Sequence, residues 1–280
     1  MSLRETLNAA ADRLAAVESL REDARRDAEF LLLHALGISR AQLLAHPERE
    51  LTEEEEFCYW QSIHRRAAAE PIQYIVGQQE FYGRAFHVTP AVLIPRPETE
   101  HLVEAVLHQL PHDASVRILD VGTGSGILAV TLALELPLAE VTAVDISPEA
   151  LAVARGNAES LGARVQFLHS DLLAAVPRGA FEAIVSNPPY VPESDRATLH
   201  PQVRDHEPPT ALYAGPSGLD IYRRLIPQAY AALVPRGLLA LEFGHGQRED
   251  IAALLAGWQD VVFHDDLQHI PRVVLAHRSV

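Results

Sequence analysis

Lysine is absent from this chain. All 23 basic side chains are arginines, which excludes a Schiff-base lysine and the phosphate-binding lysine of a Walker loop. The single cysteine, Cys58, excludes an intrachain disulfide and a cysteine-rich metal site. Beside Tyr59 and Trp60 it reads as a small buried hydrophobe. Long apolar runs are also missing: the longest, such as Ile127 to Leu134 with Thr131 inside it, are far too short to span a bilayer. Met1 to Thr6 have neither the basic segment nor the apolar core of a signal peptide, so the cytoplasm is the expected compartment and no membrane partner is expected. Positive charge is scarce as well. Against 38 Asp and Glu the formal net charge is −15, a poor balance for neutralising phosphates, so direct nucleic-acid binding is not expected. The histidines, including His245, are scattered without ligand spacing, and no metal site is expected.

What is present is an ordinary globular composition, 48% hydrophobic and 22% charged, in 280 residues, enough for two domains. Residues 1–70 read as a small helical bundle that binds a partner. Leu3, Leu7, Leu14 and Val17 share a face of a first helix, and Ala24, Ala28, Leu31, Leu32 and Ala35 share a face of a second that Gly37 can end. Ser39 is placed to cap a short third helix. Thr52 with Glu55 forms a capping-box pattern, followed by the acidic turn Glu53 to Glu56 of a fourth. Residues 71–97 change character. Tyr74-Ile75-Val76, Glu80-Phe81-Tyr82 and Ala85 to Val88 are β-prone, with turns at Gly77 and Gly83, and suggest a hairpin connector. The proline-spaced Leu93 to Glu100 reads as a rigid extended segment before a helix over about 98–110.

From Val116 onward strands and helices alternate, which predicts a mostly parallel sheet covered on both faces. Strands are expected at Val116–Val121, Glu140–Asp145, Arg164–Leu168, Phe181–Ser186, Leu238–Phe243, Val261–His264 and Val273–His277. Ser147-Pro148 is an N-cap followed by proline at the first helical position. Ligands in such sheets bind beyond the carboxyl ends of the strands, and four strand ends carry the informative residues.

The first expected strand runs into Asp120-Val121-Gly122-Thr123-Gly124-Ser125-Gly126. The third glycine comes one residue too early for a dinucleotide fingerprint. Asp120 instead suits a cationic ligand group, an α-amino group or a sulfonium. Asp145, at the end of the second, suits the two hydroxyls of a ribose, although a helix-start carboxylate would look the same. After the third, Asp171 suits an adenine amino group and Leu172 the adenine face, with the same alternative open for Asp171. After the fourth comes Asn187-Pro188-Pro189-Tyr190. Neither proline has an N–H, so the strand must stop and the loop is stiff. The Asn187 side-chain oxygen and the Pro188 carbonyl suit the two hydrogens of a planar –NH2 group, and Tyr190 its face. A capping turn is the alternative for those residues alone; the four strand ends together favour a ligand site.

With these motifs the sequence resembles the class I S-adenosylmethionine-dependent methyltransferases, and more narrowly the family of peptide chain release factor N5-glutamine methyltransferases. The resemblance extends through Leu93 to Glu100, Glu207-Pro208, Ala211-Leu212, Gly215 to Tyr222, Leu241-Glu242 with Gly244, and Pro271-Arg272-Val273. It implies a Rossmann-like sheet of seven strands with the last antiparallel, spanning residues 98–280, and a helical substrate-recognition domain over 1–70. It implies S-adenosylmethionine as cofactor and S-adenosylhomocysteine as product. Gly122 to Gly126, Asp145, Leu172 and Asn187 are then cofactor contacts, and Arg96 with Asn187 to Tyr190 substrate contacts. Asn187, Pro188 and Tyr190 carry the chemistry in this reading. The implied substrate is the glutamine of the Gly-Gly-Gln sequence in class I release factors, and a monomer is expected. Pro97-Glu98-Thr99 favours that branch over the ribosomal-protein glutamine methyltransferases, which usually have Ser-Pro there. An adenine-N6 nucleic-acid methyltransferase would use the same acceptors on a flipped base, but the net charge opposes it. A non-catalytic adapter is opposed by the intact loops.

Overall fold

Side-chain caps start the helices of the N-terminal region in the computed structural model, which describes residues 1–280. Ser2, Ser39 and Thr52 each form a capping box, with Glu5, Gln42 and Glu55, ahead of α1 (Leu3–Ala15), α3 (Arg40–Ala45) and α4 (Glu53–Ala67). Between the first two lies α2 (Ala24–Leu36), ended by Gly37 in the left-handed conformation. Leu3, Leu7, Leu14, Leu31, Leu32, Tyr59 and Ile63 make the core of this bundle. Tyr59 satisfies its hydroxyl on the Ala28 carbonyl, 2.9 Å away. Arg66 and Asp27 form a buried ion pair at 2.8 Å. Cys58 is exposed, contrary to expectation. On α4 the inward face is set by Tyr59, Ile63 and Arg66, and one helical residue of rotation turns Cys58 out to solvent.

Tyr74-Ile75-Val76 is helical, not extended. A short helix, α5 (Ile72–Val76), follows Pro71, and Ile72, Ile75 and Val76 pack on the bundle core. Packing overrides local β propensity here. The hairpin is β1 (Gln78–Phe81) and β2 (Arg84–His87), turning at Tyr82-Gly83. The remaining elements are α6 (Glu100–Gln109), β3 (Arg117–Val121), α7 (Ile127–Glu135), β4 (Glu140–Asp145), α8 (Pro148–Leu161), β5 (Val165–His169), β6 (Phe181–Ser186), α9 (Pro201–His206), α10 (Asp220–Ala232), β7 (Leu233–Glu242), α11 (Arg248–Leu254), β8 (Gln259–Asp265) and β9 (Pro271–His277).

The division of the chain differs from 1–70, 71–97 and 98–280. One compact unit is Met1–Gln78 with Thr198–His206, and the other is Gln79–Ala197 with Glu207–Val280. The hairpin is no separate linker. Phe81 and Phe86 enter a core of the second unit, edge to face at 6.1 Å, and Asn157 on α8 exchanges two hydrogen bonds with the His87 backbone. The α9 segment is the unforeseen part of the first unit: Gln202 accepts from Arg66, and His200 and His206 reach the carbonyls of Ser19 and Ala68.

The second unit is a seven-stranded sheet in the order β5-β4-β3-β6-β7-β9-β8, parallel except for β9, which is antiparallel to both neighbours. Alternate residues of the central strands feed two cores, as a sheet covered on both faces requires. Ile118, Ala183 and Val185 face α6, α7 and α8, while Leu119, Val121 and Ile184 face α10 and α11. β3 pairs with β4 on one side and β6 on the other, so the order reverses there. A crevice at the carboxyl ends of β3, β4 and β6 follows from that reversal. No helix is long and apolar enough to cross a membrane.

Candidate active site

The loop after β3 is shaped by hydrogen bonds from behind. Asp120 is fully buried, and its Oδ2 accepts from the Thr123 hydroxyl at 2.6 Å and the Ala129 N–H at 3.2 Å. Its Oδ1 is buried with no partner, and burial pushes the carboxyl up to about 7. Asn157 donates to the Ser125 carbonyl at 2.8 Å. Gly126 caps α7 with a left-handed φ of 86°, and a Cβ there would stand 3.1 Å from that of Ala154, so glycine lets α7 and α8 approach. Asp145, ending β4, accepts from the Gly124 N–H through Oδ2 and from the Ser147 N–H through Oδ1, both at 2.9 Å. Those bonds join two strand ends and leave further lone pairs on each oxygen.

The loop after β6 is held from three directions. Ser186 donates to the Val121 carbonyl at 2.6 Å, tying the ends of β6 and β3. The Asn187 amide nitrogen donates to the hydroxyl of fully buried Thr99 at 3.0 Å. Beside them stands Glu242, a buried carboxylate at the end of β7 that burial pushes up to about 7 while the Thr99 and Asn187 side chains draw it down. Beyond the prolines, Gln247 donates to the Tyr190 carbonyl at 3.0 Å and accepts from the Gly244 N–H at 2.9 Å. Val191 and Ala214 then pin the chain to Leu212–Ala214 through backbone bonds at 2.9 and 3.0 Å. Glu207 gathers the Leu93 to Glu100 segment, accepting from the Arg96 guanidinium at 2.5 Å and the Ile94 N–H at 3.2 Å.

Between these loops lies a cavity of about 360 Å³, the size of a small-molecule site. Its wall includes Gly122, Thr123, Gly124, Ser125, Asp145, Asp171 and Leu172 from the loops after β3, β4 and β5, and Asn187, Pro188 and Pro189 from the loop after β6, with Arg96 from the segment before α6. Leu172 has a φ of 49°, uncommon for a branched aliphatic residue, on this wall. Three expected contacts are absent from the wall. Asp120 holds the loop from behind, Gly126 is spent on helix packing, and the Tyr190 ring packs near Gly244, where burial pushes its hydroxyl well up. Asp171 lines the cavity but also pairs with Arg224 at 2.6 Å. The residues that sequence reasoning left without a role are Thr99, Glu242 and Gln247, and Pro208, Thr210 and Tyr213 on the wall. Glu242 did leave a signal, as the one charge closing the apolar strand Leu238-Leu239-Ala240-Leu241.

The arrangement meets the demands of an adenosyl ligand that carries a cationic amino acid group. Asp145 offers paired oxygens, and the Gly122 to Ser125 backbone, held from behind by Asp120, borders open space. Residues 99–202 match the methyltransferase small domain and residues 5–77 the PrmC N-terminal domain. Among solved structures, a 16S rRNA methyltransferase from T. thermophilus, in complex with AdoMet and guanosine, is 23% identical with a TM-score of 0.55, covering 72% of this chain and 49% of that one. By fold and site this is a class I S-adenosylmethionine-dependent methyltransferase. The chain is 47% identical to the release factor glutamine methyltransferase of Koribacter versatilis over 99% of each sequence. Against that of Deinococcus radiodurans it is 46% identical, over 100% of this chain and 99% of the other. The chain belongs to the release factor glutamine methyltransferase family.

Proposed function

We propose that this protein methylates the side-chain amide nitrogen, N5, of the glutamine in the Gly-Gly-Gln sequence of class I peptide chain release factors, using S-adenosylmethionine and releasing S-adenosylhomocysteine. The relatives' names and the near full-length match support the substrate. One observation carries the reading. A carboxamide, that of Asn187 after β6, lines the same cavity as the Asp145 carboxylate after β4, with β3 between their strands, and is bonded through its nitrogen so that its oxygen is left for a ligand.

In this reading Asp145 accepts the ribose hydroxyls, Leu172 covers the adenine, and Asp171 keeps one oxygen for the adenine amino group while Arg224 holds the other. The cofactor supplies an electrophilic methyl on a sulfonium; the remaining work falls to the chain. A carboxamide nitrogen is a poor nucleophile because its lone pair is delocalised into the carbonyl. The Asn187 oxygen and the Pro188 carbonyl accept its two hydrogens and aim it, and Pro189 keeps that loop stiff. Positioning of this kind contributes roughly 7–11 kcal/mol when the reacting atoms are in near-attack geometry. The same acceptors bind more strongly as positive charge develops on the nitrogen, which favours the transition state over the ground state. Once methylated, the cationic nitrogen is acidic and loses a proton to solvent. Arg96 keeps guanidinium N–H groups for main-chain carbonyls of the substrate, and Tyr190 braces the loop from behind.

The test is mass spectrometry of a class I release factor after incubation with the enzyme and S-adenosylmethionine. One added methyl on the glutamine of the Gly-Gly-Gln peptide is expected. Methylation elsewhere, or none, contradicts the assignment.

A further inference from the structure

We propose that Glu242 and Thr99 are positioning residues that fix which end of the Asn187 amide meets the substrate. The inference rests on the function proposed above. A carboxamide is nearly symmetric in shape, so a half-turn about its terminal bond swaps donor for acceptor at almost no steric cost. Only the partners behind it can choose. Here they are a hydroxyl with one hydrogen and a carboxylate.

The direction of each bond follows from counting hydrogens. An ionised Glu242 has none to give, so the Thr99 hydroxyl donates to it. Thr99 then has only lone pairs for Asn187, and it accepts the Nδ2 hydrogen across 3.0 Å. The Asn187 side chain also favours the charged form of the carboxylate, as its N–H end does and its oxygen would not. The Asn187 oxygen is the only end left for the cavity that this residue lines. The reverse orientation would press that oxygen against the Thr99 oxygen and a carboxylate, three acceptors with one hydrogen among them. In a site 2% exposed at Glu242 and closed at Thr99, water cannot relieve that conflict.

Protonation of Glu242 removes the constraint. A neutral carboxyl can donate to Thr99, whose own hydroxyl then donates to the oxygen of the flipped Asn187 amide. Burial raises this carboxyl, while Thr99, Arg272 and Asn187 draw it down; Glu98 raises it, and Tyr190 and Tyr222 also stand near it. Its Oε2 has no partner, so nothing else fixes the proton's place. The turnover of the enzyme therefore falls on the acid side with a midpoint near the about 7 of this group.

The experiment compares kcat, KM and their pH profiles for methylation of a Gly-Gly-Gln-bearing release factor by wild type, Glu242→Gln, Thr99→Val and Thr99→Ser. S-Adenosylhomocysteine affinity serves as the check on folding. Glu242→Gln keeps shape but can turn either its oxygen or its nitrogen to Thr99, so it no longer selects one orientation of Asn187, and Thr99→Val removes the relay. Both lower kcat by roughly tenfold or more with cofactor affinity unchanged, and Glu242→Gln abolishes the acid limb. Thr99→Ser restores turnover. Should Glu242→Gln fail to fold, the Val and Ser pair at 99 decides. Variants with kcat and pH profile equal to wild type overturn the proposal, as does a Thr99→Ser no better than Thr99→Val. A wild type that methylates no Gly-Gly-Gln glutamine overturns instead the functional reading beneath it.

Discussion

At the Asp145 end of the cavity the polar groups sit on the very strand ends and loops that present them, at residues 120–126, 145 and 170–172. At the Asn187 end the groups that matter come from residues 99, 187, 242 and 247. The first end is a local construction: a strand stops, a carboxylate or a left-handed backbone follows, and the ligand meets it. The second is a tertiary construction, in which a two-proline loop is aimed by side chains from elements far apart in sequence. In the proposed reading the first end binds the cofactor, which tolerates a local construction. The second aims a weak nucleophile in that reading, where small misplacements cost rate steeply.

The sharpest way to break this contrast is Asn187→Ala. Loss of one preorganised acceptor at the reacting nitrogen lowers methyl transfer by roughly 10²–10³-fold. Cofactor affinity by calorimetry should stay near wild type. Asp145→Ala should do the reverse, weakening S-adenosylhomocysteine by roughly 10- to 100-fold, as expected for lost hydrogen bonds to a charged group, while turnover at saturating cofactor changes far less. If the two variants damage both properties alike, the ends are not separable.

How much of this was legible beforehand follows the same division. The strand ends announced Asp145, Leu172 and Asn187 because each closes an apolar run, and the sheet brings all three to one cavity. Asp120 and Gly126 obeyed the same pattern yet hold the loop from inside, since sequence marks a strand end but not which way its side chain turns. Tyr190 follows two prolines, and its ring direction is decided by Gly244 and Gln247, more than fifty residues later. Tyr74 to Val76 looked extended until packing on the bundle made it helical. Thr99 and Glu242 carry no local signature of partnership, because their relation exists only once β7 lies beside β6.

A smaller effect tests how tightly the amide end is built. Gly218 has a φ of 71°, and a Cβ there would fall 2.2 Å from the Tyr190 carbonyl oxygen. Gly218→Ala should cost about 1–3 kcal/mol from the backbone strain, plus the contact, and lower the melting temperature by several degrees together with methyl transfer. Gly246→Ala, at φ 81° with open space around it, should show the strain alone. Equal losses would mean that the Tyr190 carbonyl has room to move.

A test of the other end concerns Asp120, whose effect on stability is spread over pH. Its carboxyl lies at about 7 in the fold against an ordinary 3.8, so the folded state holds a proton that the unfolded state releases. The stability this contributes is present below pH 3.8 and is lost as pH rises towards about 7, with a slope of at most about 1.4 kcal/mol per pH unit. In urea titrations of the ligand-free protein between pH 5 and 8, Asp120→Asn should flatten that fall. An unchanged slope would assign the pH dependence elsewhere, Glu242 being the other carboxyl shifted the same way.

The most direct measurement is a crystal structure of the protein with S-adenosylhomocysteine and glutamine bound together. The account predicts the glutamine amide nitrogen within hydrogen-bond distance, about 2.7–3.2 Å, of both the Asn187 side-chain oxygen and the Pro188 carbonyl, with the Asn187 nitrogen still on Thr99. A glutamine bound away from that pair of oxygens, or an Asn187 presenting its nitrogen to the ligand, would contradict it.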